Sequence, residues 1–221
     1  MTRIIMVRHG YSLANEQHVF AGIYDTPLTE IGHEQARSVA EYLRKNEKID
    51  KIYTSDFSRV YHTVLPTAEA FGLTPIKDTG LREINGGLWE CLPFDDIATY
   101  YADEWRVWGE DTAHAHPVGG ESVRAVYERI VAHVKKLAAE NDGKTILLGT
   151  HWTPVRSVLA HVMTGTYETI SHDADEPQNE LGFCARPDVK NASLHILHYE
   201  NGELKPVRIG ITEHLTRITS H

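Results

Sequence analysis

Only two cysteines, Cys91 and Cys184, occur among 221 residues, so no disulfide framework can hold this chain together. Two reduced thiols are favoured over a single bridge. No stretch approaches the ~20 apolar residues that a membrane span needs. The apolar run within residues 1–8 is too short for a signal peptide. Internal repeats, low-complexity tracts and Pro/Gly/Ser linkers are absent, which argues for a single domain over residues 1–221. Positive charge is scarce as well: 22 basic residues face 31 acidic ones, a formal net charge of −9. A field of that sign repels polyphosphate backbones and anionic membranes. Neither nucleic acid nor a membrane is therefore expected as a partner, and a cytoplasmic location is. An anionic substrate would need a local cluster of cations to overcome the global field.

What is present suits a globular α/β domain. A hydrophobic share of 41% and a charged share of 24% are ordinary, and the length supports a sizeable core. Arg3 to Val7 is a near-continuous β-branched apolar run, the pattern of a strand covered on both faces. Residues 144–149 repeat it, and residues 51–54 form a weaker third strand. Helical spacing follows Thr29, an N-cap candidate, through Ile31, Ala36, Val39, Ala40 and Leu43. It recurs from Glu121 through Val123, Val126, Ile130, Val134 and Leu137. Residues 56–71 also read as helix, kinked or shortened by Pro66. Strands alternating with helices predict a mostly parallel, doubly covered sheet. Near the end, Glu200-Asn201-Gly202 separates two strand-like runs, which predicts an antiparallel hairpin at the sheet's edge.

Two histidines fall at strand ends. His9 directly follows the first buried strand, and His151 follows the second by two residues. Ligands of open parallel sheets bind outside the carboxyl ends of the strands, where two such imidazoles could face one another. Arg8 precedes His9, while Gly10, Ser12 and Asn15 follow and supply close backbone approach and neutral donors. Arg59 opens the helix after Thr54-Ser55. Guanidinium forks match phosphate oxygens bidentately and keep their charge. Two guanidiniums and two imidazoles converging on one phosphoryl group would be the local cation cluster that the acidic surface demands.

In these residues the chain resembles the histidine phosphatases, the phosphoglycerate-mutase-like superfamily, through most of its length. The opening signature is Arg8-His9-Gly10-Tyr11-Ser12-Leu13-Ala14-Asn15. Residues 25–32, Ser55-Asp56-Phe57-Ser58-Arg59, Leu81-Arg82-Glu83 with Gly87-Leu88-Trp89-Glu90, Gly120-Glu121-Ser122 and Thr150-His151 follow in order. The Asn191-Ala192-Ser193 strand closes the match. The tripeptide alone is weak; the ordered set is specific.

The resemblance implies that His9 is a nucleophile that forms a phosphohistidine, with one ring nitrogen free and the other pinned. It implies that Arg8, Arg59 and His151 hold the phosphoryl oxygens, assisted by Ser12, Asn15 and Gly22. Glu83 is the expected general acid, preferred over Glu90. Glu121 is expected to support from the start of a helix. No cofactor is implied. His114 and His116 form a His-x-His pair, read as a loop feature and not as a metal site.

Two positions depart from the family pattern. Trp152 stands where Gly usually follows the second histidine, and Cys91 stands where Gly follows Trp89-Glu90. Trp152 can still offer its backbone N–H to phosphate, and its indole is expected either to line the substrate pocket or to force a different turn. Residues 92–118 are a candidate cap. Within them Phe94, Ile97, Tyr101, Trp105 and Trp108 form a stripe at helical spacing. A core-facing helix is favoured, and a lid selecting apolar or bulky leaving groups is the alternative. The expected function is hydrolysis of a small phosphorylated metabolite. Ile84-Asn85-Gly86 after Glu83 departs from the Arg-x-Tyr-Gly run of the mutases and weighs against mutase-type phosphotransfer. A non-catalytic phospholigand sensor is the third reading. Oligomeric state stays open.

Overall fold

The computed structural model describes residues 1–171, 188–216 and 218; Cys184 lies outside them. Six strands form one sheet: β1 (Thr2–Arg8), β2 (Lys51–Thr54), β3 (Ile76–Lys77), β4 (Thr145–Thr150), β5 (Leu194–Glu200) and β6 (Glu203–Ile211). Their order is β3-β2-β4-β1-β5-β6. The first four are mutually parallel; β5 pairs antiparallel with β1, and β6 pairs antiparallel with β5. Helices α1 (Leu13–Glu16), α2 (Glu30–Asn46), α3 (Ser58–Phe71), α4 (Phe94–Tyr100), α5 (Ala102–Glu110), α6 (Val123–Ala139) and α7 (Trp152–Thr164) complete the domain. No described helix is long and apolar enough to cross a membrane.

The β-branched run in β1 is apolar throughout because both faces are covered. Ile5 and Val7 join a core with Val39 and Leu43 of α2 and Val64 and Ala68 of α3. Ile4 and Met6 point the other way, into a larger core with α6 and α7. Those alternate residues are fully buried. The hairpin also forms as its turn residues dictate: Asn201 and Gly202 carry φ of 54° and 84°, the left-handed pair of a two-residue connection.

Helix ends follow local chemistry. The Thr29 hydroxyl accepts from Gly32 N and caps α2. The helix expected from Glu121 starts two residues later, capped by the Ser122 hydroxyl on Ala125 N. The helix expected from Asp56 begins at Ser58, where the Asp25 carboxylate takes the Ser58 N–H at 2.7 Å. Pro66 neither ends nor shortens α3. An interior proline costs about 3 kcal/mol, which the burial of Val60, Val64, Thr67 and Ala68 beside it outweighs. The single helix suggested by the 94–108 stripe is two helices, broken at Tyr101 with φ −132° and ψ 45°.

Candidate active site

β1 and β4 are neighbours, with Arg8 beside Thr150 at their carboxyl ends. The chain leaving β1 goes to α2 on one face, whereas the chain leaving β4 enters α7 on the other. A crevice therefore opens between these strand ends, the usual ligand position of such sheets. It holds a cavity of about 290 Å³. Arg8, His9, Ser12, Asn15, Arg59, Glu83 and Trp152 line it. His151 lies directly behind His9, with ring centroids 5.4 Å apart and edge-on.

The backbone N–H of His9 donates to Thr150 O, and its carbonyl accepts from Ala192 N and Asn191 Nδ2. Nδ1 of the ring lies 2.8 Å from Gly10 O. A carbonyl can only accept, so Nδ1 carries the hydrogen and Nε2 keeps its lone pair. Burial first, then the Arg59 and Arg8 charges, push the His9 pKa well below its ordinary value. The ring is a neutral base with one free nitrogen. His151 is fully buried and N-caps α7, with Nε2 2.9 Å from the Ser55 hydroxyl. Its Nδ1 is buried without a hydrogen bond within the protein. Burial, followed by Arg59, also lowers its pKa.

The two guanidiniums are held differently. Arg59 is 1% exposed, and its Nη atoms donate to the carbonyls of Ala21, Gly22 and Tyr24 at 2.8–3.1 Å. Asp25 lies 3.4 Å away. Arg8 donates to Val189 O, and burial lowers its pKa to about 10. Both remain cations near neutrality. Asn15 Oδ1 accepts from Ser12 N, Ser12 Oγ and Asn191 Nδ2, which leaves its amide NH₂ as the end for a ligand.

Glu83 is 8% exposed. Its carboxylate accepts from Ile84 N at 2.9 Å, Trp152 N at 3.0 Å and Thr153 N at 3.2 Å. Desolvation raises its pKa, and the backbone donors at the start of α7 pull the other way. Behind it the Glu121 carboxylate grips Arg129, whose Nη2 donates to the carbonyls of Arg82 and Glu83. Glu121 itself stands just outside α6, before the cap.

Two expectations change in detail. The Trp152 N–H goes to Glu83, not to a phosphate seat, because residue 152 is the first of α7 and Glu83 sits at that helix end. Its indole does line the cavity. Gly22 is not a lining residue: its carbonyl serves Arg59, and a Cβ there would lie 2.1 Å from Ile84 O. Glu90 accepts from the N–H groups of Ile23, Tyr24 and Gly86 and so pins the loop that Arg59 grips. Cys91 is exposed and adopts φ 67°, a conformation glycine takes at no steric cost. His114 contacts Asp111 and His116 contacts Gly120 O. No group of three or more His, Cys, Asp or Glu among the described residues could hold a metal ion.

Sequence reading assigned no role to Phe20, Ser55, Arg129 or Asn191. Ser55 and Asn191 stood inside matched blocks and were within reach. The others meet the site only through tertiary packing.

Buried neutral histidines also set acid stability. His195 is fully buried, receives Gly210 N on Nδ1, and has its pKa lowered to about 3, by burial and then by Arg156. A histidine with a depressed folded pKa binds its proton more readily when unfolded. Its stabilisation is therefore complete above the unfolded value near 6.5 and drains away between there and about 3. For His195 alone the loss by pH 5 is about 2 kcal/mol. His9 and His151 act in the same direction. Urea unfolding at pH 7 and pH 5 checks this, and equal stability at both would refute it.

The chain matches known proteins along most of its length. The sequence model of the histidine phosphatase superfamily (branch 1) matches residues 4–212. "Phosphoserine phosphatase 1" of Hydrogenobacter thermophilus is 28% identical over 216 residues, covering 97% of this chain and 95% of that protein. "Probable phosphoglycerate mutase GpmB" of Yersinia pestis is 34% identical over 164 residues, 74% of this chain and 75% of that one. The solved mycobacterial glucosyl-3-phosphoglycerate phosphatase, complexed with VO3, superposes with a TM-score of 0.80 at 27% identity. That likeness covers 95% of this chain and 99% of the other. With its strand order, its paired histidines and this match, the chain belongs to the histidine phosphatase superfamily, branch 1.

Proposed function

We propose that the protein is a cytoplasmic phosphomonoester hydrolase that acts on a small phosphorylated metabolite through a phosphohistidine on His9. The observation that carries this reading is the His9 ring: Nδ1 pinned to Gly10 O, Nε2 free, in a cavity shared with two guanidiniums and a buried carboxyl. In the first step the Nε2 lone pair attacks phosphorus as the bond to the alcohol oxygen breaks. Protonated Glu83 gives its proton to that departing oxygen. In the second step Glu83, now a carboxylate, takes a proton from water as the water oxygen attacks phosphorus. The P–N bond breaks and its electrons return to Nε2. Arg8 and Arg59 stabilise the charge spread over the equatorial oxygens. His151, whose ring lies 5.4 Å from that of His9 and whose Nδ1 has no hydrogen bond within the protein, contacts an oxygen of the phosphoryl group in this reading. Ser12 and Asn15 orient the same group. None of these steps calls on a metal or cofactor.

The likeness to a protein named as a phosphoglycerate mutase makes mutase-type transfer the second reading. Hydrolysis is favoured because a mutase must also hold a substrate carboxylate. Arg8 and Arg59 are the cations among the described cavity residues, and both lie beside His9. Alkaline denaturing quench during turnover of 4-nitrophenyl phosphate, followed by peptide mapping kept at alkaline pH because the P–N bond is acid-labile, tests the intermediate. A phosphoryl group on the peptide containing His9 is expected. Turnover with no such adduct would overturn the mechanism, and ligand binding without turnover would make the protein a phospholigand sensor.

A further inference from the structure

The cavity has a second character. Away from the cations it is walled by Val19, Phe20, Phe94, Trp108 and Trp152. This wall is braced from behind. Trp108 packs on Phe20 at 5.5 Å and on buried Trp89 at 5.8 Å between centroids. Trp105 stacks on Phe94 and meets Trp89, both at 5.4 Å. Arg156 lies over the Trp152 ring at 5.3 Å without lining the cavity, and so steadies the indole from its other side. Phe20 and Trp108 are buried, while Phe94 and Trp152 are half-buried and keep ring surface for a ligand.

Charge points the same way. Asp95, Asp96, Asp103, Glu104 and Glu110 are exposed on α4 and α5, whose one cation, Arg106, is paired with Glu110. Among the described residues the cavity face of the aromatic wall carries no cation, Arg156 lying behind Trp152, so a leaving group with its own carboxylate or second phosphate would meet the negative field beyond it.

We propose that the alcohol released by this enzyme is apolar and aromatic and carries no second negative charge. This deepens the hydrolase reading and rests on it. Phe94 and Trp152 are then specificity-determining residues, and the substitution of Trp for the family's Gly at 152 is what supplies the ring.

The test compares phosphate release from 2-phenylethyl phosphate, ethyl phosphate and O-phosphoserine, all primary alkyl esters with leaving groups of similar intrinsic reactivity. A buried phenyl ring should raise kcat/KM over ethyl phosphate by about 10- to 100-fold. O-phosphoserine should do no better than ethyl phosphate. In Phe94→Ala and Trp152→Ala the phenylethyl-to-ethyl ratio should fall toward one. Because the ratio is taken within one preparation, partial unfolding of a variant lowers both rates and leaves it unaltered. A wild-type ratio near one, a preference for O-phosphoserine, or a ratio unchanged in both variants overturns the proposal while leaving the hydrolase intact. No His9-dependent release from any of the three would sink the hydrolase reading and this inference with it.

Discussion

Alanine at position 9 is expected to lower phosphate release by about 10⁴–10⁶-fold, the scale on which enzymes lose rate when a covalent nucleophile is removed. Ligand binding should survive, because Arg8, Arg59, Ser12 and Asn15 are held by contacts that do not involve the His9 ring. The substitution also removes a bulky neighbour from the two cations of the cavity, so affinity for inorganic phosphate should hold or rise. Steady-state kinetics together with a phosphate-induced shift in Tm separate the two effects. A variant that lost binding but kept kcat would make His9 a binding group and leave the nucleophile unassigned.

Replacing Glu83 with Gln should cost about 10²–10⁴ in kcat on alkyl esters, the range for a lost general acid. The loss should shrink sharply for 4-nitrophenyl phosphate, whose leaving group departs without a proton. That contrast is the readout. The absolute rate is less informative, because an amide NH₂ must sit where the carboxylate now accepts three backbone donors. Equal losses on both esters would show that Glu83 shapes the site without donating a proton. Wild-type rates should fall at alkaline pH as Glu83, with its raised pKa, loses its proton. The acid limb should lie well below pH 6.5, since His9 resists protonation.

The central sheet was readable because its two inner strands are buried on both faces and so appear as unbroken apolar runs. The hairpin was readable because few residues besides Asn and Gly accept its turn. Helix α7 was not recognised: residues 153–160 are all buried, so no polar face betrays a period. The break at Tyr101 carries no Gly or Pro, and β3 has two residues, too few for any pattern. In the site, His9 and His151 could be placed because strand ends deliver them to one crevice. The destination of the Trp152 N–H depended on where Glu83 would fold, 69 positions earlier. Arg129 acts by touching carbonyls remote in sequence, a relation that leaves no trace in spacing.

The segment 21–25 is grasped from both polarities. Arg59 takes carbonyls of residues 21, 22 and 24, while Glu90 takes the amides of 23 and 24. Ile23 and Tyr24 nevertheless stand 44% and 43% exposed. Exposed loop tips are ordinarily where a chain is nicked or tolerates an insert. Here, peeling the backbone away would strand a buried cation and a carboxylate together, so this bare stretch of surface is a clasp that engineers of the protein should leave uncut.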